Sequence, residues 1–330
     1  MLELQWRDFH CSVKVFLDKE FLLYYDLHMS QMDQLSPIVV FGFNRPGHLR
    51  RCLRSLEKNY LAGQSDLFIF IDGPRNLIDW KLVLETQIVA SEPFAFKSIS
   101  LHCRNENFGL ANSIVMGIDE LMETNEKLIV VEDDLTFGRN FLTFMNVGLS
   151  KYSNKKNVSS IQGYSYPFRK ENDESFFIRG ADCWGWGTWK DRWGDFEKDA
   201  SKLLVKIYEL GLEEKFDLSG AYQYTEMLKK QSAGKIDSWA VRWHAHNFIE
   251  GKLALYPPQS LVKNMGQDGS GTNFGKSKIY KVRLKSLKKF TLPDIIIESE
   301  LNVLNLAKFH KSTKGRKLSR GILKLLKVYK

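Results

Sequence analysis

Three consecutive carboxylates, Glu132, Asp133 and Asp134, follow an apolar run in the segment KLIVVEDDLTF. Like charges about 4 Å apart repel by several kcal/mol at an intermediate dielectric constant, so carboxylates at the end of a buried strand need a cation nearby. Oxygen ligands suit Mn²⁺ or Mg²⁺, which usually take one or two protein carboxylates together with phosphate oxygens of a substrate. The segment therefore predicts a divalent-cation site, and a solvated acidic turn is the alternative interpretation.

Apolar runs that are rich in β-branched and aromatic residues alternate with amphipathic segments along the first half of the chain. The runs are 38–43, 67–72, 97–102 and 127–132. This alternation predicts an α/β fold with a mostly parallel central sheet. Ligands of such sheets bind outside the carboxyl ends of the strands, where Arg45, Asp72 and the carboxylate triplet are expected to stand.

Other motifs in the chain fit their usual chemistry poorly. The segment EDDLT approaches a phosphatase motif, but Glu132 stands where that motif has a nucleophilic aspartate. The segment GSGTNFGKS has Ser270 where a P-loop has its first glycine. His244 and His246 lie two residues apart in a predicted helix, where their side chains diverge by about 200°, which favours structural histidines over a metal site.

Composition limits the class of protein. Of the 330 residues, 43% are hydrophobic, which is enough for a core, and no apolar run approaches the length of a membrane span. Glu3, Arg7 and Asp8 stand where a signal peptide would be apolar, so we expect a cytoplasmic protein. The four cysteines lack CxxC spacing, which predicts reduced thiols and no zinc ribbon.

Positive charge is concentrated at the end of the sequence. Residues 302–330 contain nine Lys or Arg and no acid, which equals the net charge of +9 for the whole chain. The rest of the chain is therefore neutral overall, which argues against nucleic-acid binding. Residues 276–330 are predicted to form a basic tail that associates with an anionic membrane, so the protein is expected at the inner face of the cell membrane.

Three segments together resemble a known family. They are NENFGLANSIVMGI, VVEDDL and GADCWGWGTWKDRW. In this order they are similar to the GT-A nucleotide-sugar glycosyltransferases, specifically the N-acetylglucosaminyltransferase I family and its bacterial relatives, over roughly residues 37–275. The resemblance implies a Rossmann-like GT-A domain over 36–275, with a nucleotide-sugar half (36–175) and an acceptor half (176–275), after an N-terminal extension (1–35).

The resemblance also implies an activity. It is metal-dependent, inverting transfer of a hexosyl or N-acetylhexosaminyl group from a nucleoside-diphosphate sugar to a hydroxyl of a glycan or lipid-linked saccharide. Arg45 would lie on the nucleotide and diphosphate side of the donor, and Asp72 would hold the base or ribose. Asp134 would ligate the metal, while Glu132 and Asp133 would orient the ribose or metal-bound water.

The family's catalytic aspartate adjoins a tryptophan. Here Ser238 takes that place, and Asp237 precedes it, so we assign the role of general base to Asp237, because serine cannot act as a base unaided. Trp184, Gly185 and Trp186 are predicted to contact the acceptor, since glycine permits close approach and indole faces stack on sugar rings; a core role is the alternative.

Two alternative functions stay open at this point. Because Asp237 is displaced by one residue from the family's position, one alternative is a non-catalytic module that has the same fold and binds sugar nucleotides or glycans. A nucleotidyltransferase would also carry carboxylates at strand ends, but the segment FGFNRPGH contains too little glycine for its phosphate loop.

Overall fold

The computed structural model describes residues 34–168, 174–269, 277–284 and 290–313. Its strands, in chain order, are β1 (Ile38–Gly42), β2 (Asp66–Ile71), β3 (Ser98–Cys103), β4 (Lys127–Glu132), β5 (Leu135–Phe137), β6 (Val158–Gln162), β7 (Phe176–Arg179), β8 (Trp186–Trp189), β9 (Leu253–Tyr256) and β10 (Val262–Asn264). The four runs predicted as strands are β1 to β4.

The helices are named in the same way. They are α1 (Pro46–Leu56), α2 (Leu77–Ala90), α3 (Leu110–Met122), α4 (Phe141–Lys151), α5 (Lys190–Gly194), α6 (Ala200–Glu209), α7 (Glu213–Phe216), α8 (Tyr224–Ser232) and α9 (Trp239–Ile249), and residues 300–313 are also helical. In the described part of the chain, no helix is both long and apolar enough to cross a membrane.

An eight-stranded sheet forms the centre of the fold, in the order β3-β2-β1-β4-β8-β6-β9-β7. Neighbouring strands β1, β2, β3 and β4 pair in parallel, as do β6 and β9, whereas β8 and β7 run against their neighbours. Six of the eight strands therefore point the same way, and the predicted α/β fold with a mostly parallel central sheet is confirmed.

This topology brings distant segments to one edge of the sheet. Residues that follow β1, β2, β4, β6 and β9 emerge at the same edge because these strands share a direction. Residues that precede β8 lie there too, since β8 is antiparallel to both β4 and β6, with Trp186 opposite Val130 and Gln162. We call this the carboxyl edge.

Tryptophans pack the core between the sheet and α3. Trp186 and Trp243 are fully buried, and their ring centroids lie 5.7 Å apart. Trp193 and Trp239 complete the group. Truncating a buried tryptophan to alanine typically costs about 3–5 kcal/mol, so these contacts hold β8 and α9 firmly against the sheet.

Helix starts follow local signals in the sequence. Pro46 begins α1, where its missing N–H leaves no helical hydrogen bond unmade. Asn76 caps α2 by accepting hydrogen bonds from the backbone N of Ile78 and Asp79. Ser238 caps α9 in the same way, accepting from the backbone N of Val241 at 3.3 Å.

Part of the predicted basic tail packs on the body of the protein. Leu306 is 4% exposed and His310 is 2% exposed within the helical residues 300–313. Phe290 is buried as well. Residues 1–33 and 314–330 lie outside the described residues, so the predictions of an N-terminal extension and of a membrane-binding tail stay predictions.

Candidate active site

The carboxylate triplet stands where β4 reaches the carboxyl edge. Burial, with repulsion from Asp134 and Asp133, raises the pKa of Glu132 to about 8. Burial also raises the pKa of Asp133 to about 6, although the neighbouring Arg45 opposes the shift. The strand thus brings negative charge into surroundings that disfavour it, as the sequence pattern predicted.

Arg45 binds two of the three carboxylates from the loop between β1 and α1. Its Nη2 contacts Oδ1 of Asp133, and its Nε lies 3.3 Å from Oδ2 of the same residue. Its Nη1 donates to Oδ2 of Asp134 at 3.2 Å. One guanidinium therefore pairs with two of the three carboxylates, and the cluster keeps an excess of negative charge that a further cation would offset.

Asp134 is also held by the segment around β10. The backbone N of Met265 donates to the Asp134 carbonyl oxygen at 2.7 Å. A Cβ added to Gly266 would lie 2.1 Å from Oδ2 of Asp134, so a larger residue would force the carboxylate or the backbone to shift. Next to it, Nε2 of His48 lies 3.2 Å from Oδ2 of Asp268.

These residues fit a cation only when a ligand completes its coordination. No group of three metal-binding side chains occurs within the ranges that the structure describes. Asp134 would supply a direct ligand, and its side chain is 14% exposed. This arrangement suits Mn²⁺ or Mg²⁺ bound together with phosphate oxygens, which is the usual pattern for Mg²⁺.

Asp72 lies at the carboxyl edge after β2, and it is 4% exposed. Its carboxylate accepts hydrogen bonds from the backbone N of Gly73, Phe108 and Gly109 at 3.0 to 3.1 Å, and from Nδ2 of Asn107 at 3.0 Å. Burial raises the pKa of Asp72 while these donors oppose the shift. The residue thus fixes the loop before α3, and its predicted contact with the nucleotide stays a prediction.

Asp237 is exposed one residue before the Ser238 cap of α9. A Cβ added to Gly109, which has a φ of +78°, would lie 3.5 Å from Oδ2 of Asp237. Asp237 therefore faces the loop that Asp72 holds, on the same side of the molecule as the first turn of α3. The capping hydrogen bond also explains why a serine follows it.

The predicted acceptor residues divide into one that is accessible and two that are packed. Trp184 is partly exposed, and its ring lies edge-on to Tyr164 at 4.7 Å between centroids. Trp186 is 0% exposed. Gly185 has a φ of +66°, and a Cβ there would lie 2.9 Å from Cγ2 of Val262. We therefore correct the prediction for Trp186, whose indole is a core side chain without a face for a sugar.

His244 and His246 are packed in the interior, as structural histidines are. Nδ1 of His244 lies 2.9 Å from the Ala181 carbonyl oxygen. Burial lowers the pKa of both histidines to about 4. They are therefore neutral at physiological pH and point into the protein rather than to a shared ligand.

One group at the carboxyl edge was not anticipated from the sequence. Asp182 precedes Trp184 on the approach to β8, and aromatic side chains from separate segments surround it. We call this set, together with Asp182, the aromatic cluster: Tyr164, Tyr166, Trp184, Tyr222, Tyr224, Tyr256, Tyr280, Phe309 and His310. The only local signal is the pair Tyr164 and Tyr166, which flank one serine after β6.

Comparisons with known proteins identify no family. No family profile and no curated protein matches this sequence. Among solved structures, the chain is similar to "GalNAc-T7 with UDP, GalNAc and Mn2+", with a TM-score of 0.39 and 15% identity over 70% of this chain and 44% of that one. It is also similar to S. aureus TarS, with a TM-score of 0.29 and 10% identity over 44% of this chain and 25% of that one. The chain thus spans less than half the length of either, and neither likeness assigns an activity.

Proposed function

We propose that the protein is a metal-dependent, inverting glycosyltransferase that moves a sugar from a nucleoside diphosphate to a hydroxyl of a glycan or lipid-linked saccharide. The observation that carries this proposal is the carboxylate triplet at the carboxyl edge, which Arg45 neutralises only in part. Such a cluster repels a diphosphate by itself and attracts it once a divalent cation is bound, so nucleotide binding should require the metal.

The triplet and Arg45 have separate roles in this proposal. Asp134 would hold Mn²⁺ or Mg²⁺, which stabilises the negative charge that develops on the leaving diphosphate. Arg45 keeps Asp133 and Asp134 in place through the hydrogen bonds described above. Glu132, with its raised pKa, would orient the ribose or water at the metal.

Asp237 is proposed as the general base. Its exposed carboxylate would take the proton of the acceptor hydroxyl while that oxygen attacks the anomeric carbon from the side opposite the diphosphate. Proton transfer of this kind typically contributes about 10²–10⁴-fold to the rate. The position of Asp237 beside the loop of Asp72 supports this role, because the donor would bind along the same loop.

A thermal-shift panel of nucleoside-diphosphate sugars, with and without Mn²⁺, tests the proposal. A ligand at 100 times its Kd raises the free energy of unfolding by about 2.7 kcal/mol, which is readily measured. We expect at least one donor to stabilise the protein with Mn²⁺ and not without it. Release of the nucleoside diphosphate in the presence of an acceptor then separates an enzyme from a binding module. If no donor shifts the transition in Mn²⁺, the proposal is wrong.

A further inference from the structure

The aromatic cluster shares the carboxyl edge with the carboxylate triplet. Tyr164 and Tyr166 follow β6, Tyr256 ends β9, and Asp182 lies just before β8. The two regions are neighbours because β8 pairs with β4 in the sheet, so the residues just before β8 lie beside those that end β4. A ligand in the cluster would therefore lie next to a donor held at the triplet.

The cluster has a buried side and an accessible side: Tyr164, Tyr166, Tyr256 and His310 are buried, whereas its other members are partly exposed. Trp184, Tyr222 and Tyr280 are each partly exposed, and so is Asp182. The rings of Trp184 and Tyr280 lie 5.6 Å apart, nearly perpendicular to each other. Aromatic faces of this kind pack on the C–H faces of sugar rings, and tyrosine hydroxyls bond to sugar hydroxyls.

The charge of the cluster selects the type of ligand. Asp182 accepts hydrogen bonds from the hydroxyls of Tyr166 and Tyr256, the latter at 3.3 Å, and it keeps a negative charge in surroundings made largely of aromatic rings. A phosphate or carboxylate would be repelled there. A neutral molecule with several hydroxyls is not repelled, and its hydroxyls can donate hydrogen bonds to the carboxylate.

We propose that the aromatic cluster is the binding site for the acceptor, a neutral or N-acetylated saccharide whose hydroxyl groups donate to the Asp182 carboxylate. The proposal rests on the proposed function for the role of the sugar as acceptor. A cleft of about 500 Å³ opens beside Phe309 and is lined in part by Lys278, Lys281 and Lys308. It gives the direction in which a longer acceptor would continue.

Binding can be measured without turnover. Saturation-transfer NMR with the methyl glycosides of glucose, galactose, N-acetylglucosamine and N-acetylgalactosamine reports contact with the full-length protein directly. We expect Asp182→Asn to weaken binding of the preferred glycoside by about 10- to 100-fold, since a hydrogen bond to a charged group is lost. Asp66→Asn is the matched control, because Asp66 begins β2 at the opposite edge of the sheet.

A second variant tests whether the effect of Asp182→Asn on glycoside binding is purely structural. Trp184→Leu removes a partly exposed ring without touching Asp182, and it should also weaken glycoside binding. The melting temperature of Asp182→Asn should stay near that of the wild type, because asparagine can still accept the hydrogen bond of Tyr256. If both variants bind the glycosides as the wild type does, or if the wild type binds none of the four, the proposal is wrong.

The donor assay separates this proposal from the proposed function. Asp182→Asn should keep the Mn²⁺-dependent thermal shift by the nucleotide sugar, because the triplet is intact. If the wild type binds glycosides through Asp182 but no donor, the cluster is a saccharide site and the transferase proposal fails. If Asp182→Asn also loses the thermal shift caused by the donor, Asp182 stabilises the whole carboxyl edge, and its assignment to the acceptor site fails.

Discussion

The two regions of the carboxyl edge are built in opposite ways. The triplet region collects charge, with one arginine among three carboxylates that are consecutive in the sequence. The aromatic cluster surrounds a single carboxylate, Asp182, with rings from several distant segments. The first region suits an anion that arrives with a cation, and the second suits a neutral, hydroxylated molecule. The difference indicates that the two regions bind different substrates, and variants in each should separate the two kinds of binding.

The largest expected effect belongs to Asp134→Ala. Transfer should fall below detection, and the Mn²⁺-dependent part of donor binding should disappear, because the variant lacks the carboxylate that would ligate the metal. The protein should still fold, since removing one of three like charges relieves repulsion. Turnover with Mn²⁺ and the thermal shift by the donor measure both effects. Wild-type turnover in this variant would contradict the metal-site assignment.

Asp237→Asn should lower kcat by about 10²-fold or more while the donor affinity stays constant, because a general base acts on the acceptor hydroxyl. Ser238→Ala should leave kcat nearly unchanged and lower the stability by about 1 kcal/mol, since it removes the cap of α9. Steady-state kinetics and chemical denaturation test the pair. An inactive Ser238→Ala beside an active Asp237→Asn would place the base elsewhere.

Gly266→Ala should disturb the triplet region from its β10 side. The added Cβ would lie 2.1 Å from Oδ2 of Asp134, so the carboxylate or the β10 segment must move. Displacement of a group beside a metal ligand typically costs about 10- to 100-fold in metal affinity. The Mn²⁺ concentration for half-maximal activity measures the change. Gly63→Ala is the control, since a Cβ there meets nothing within 4 Å, and equal behaviour of the two variants would exclude this tight contact.

The same contrast explains which features could be predicted from the sequence alone and which could not. The strands β1 to β4 and the triplet could be predicted because each signal is contiguous, an apolar run or three adjacent acids. The core position of Trp186 could not be predicted. The local sequence of a tryptophan between glycines is the same whether the indole packs in the core or stacks on a sugar. The environment of Asp182 depends on β6, β8 and β9 meeting in one sheet, and no local pattern encodes that pairing.

Acidification should weaken acceptor binding through Asp182. Burial raises the pKa of Asp182 to about 6, and hydrogen bonds from Tyr166 and Tyr256 oppose the shift. The other titratable groups that interact with it are Tyr164, Tyr222, Tyr224, Tyr280 and Cys183. The carboxylate accepts hydrogen bonds from the sugar when it is ionised, so affinity for a methyl glycoside should fall about 10-fold between pH 7 and pH 5. Asp182→Asn should show no such dependence.

Stability should change with pH in the opposite direction. Because the folded-state pKa of Asp182 lies above its unfolded value, the stability that this group contributes is complete at low pH and is lost as the pH rises through about 6. The stability of Asp182→Asn relative to wild type should therefore increase from pH 5 to pH 8. Denaturation at the two pH values measures this, and a relative loss at pH 8 would mean that the ionised carboxylate stabilises the fold.

The smallest effect on catalysis is expected from the end of the chain. Residues 314–330 contain seven Lys or Arg and no acid. Each basic residue near an anionic leaflet contributes about 1 kcal/mol of attraction, so partial engagement would bring the protein to the lipid-linked acceptor that we propose. The truncation should begin after Thr313, because Leu306 and His310 pack on the body. We expect the truncated protein to lose binding to anionic vesicles at low salt and to keep its kcat on a soluble glycoside.

Equal sedimentation of the truncated and full-length proteins with these vesicles would exclude a membrane role for residues 314–330. Loss of kcat would instead show that these residues support the aromatic cluster.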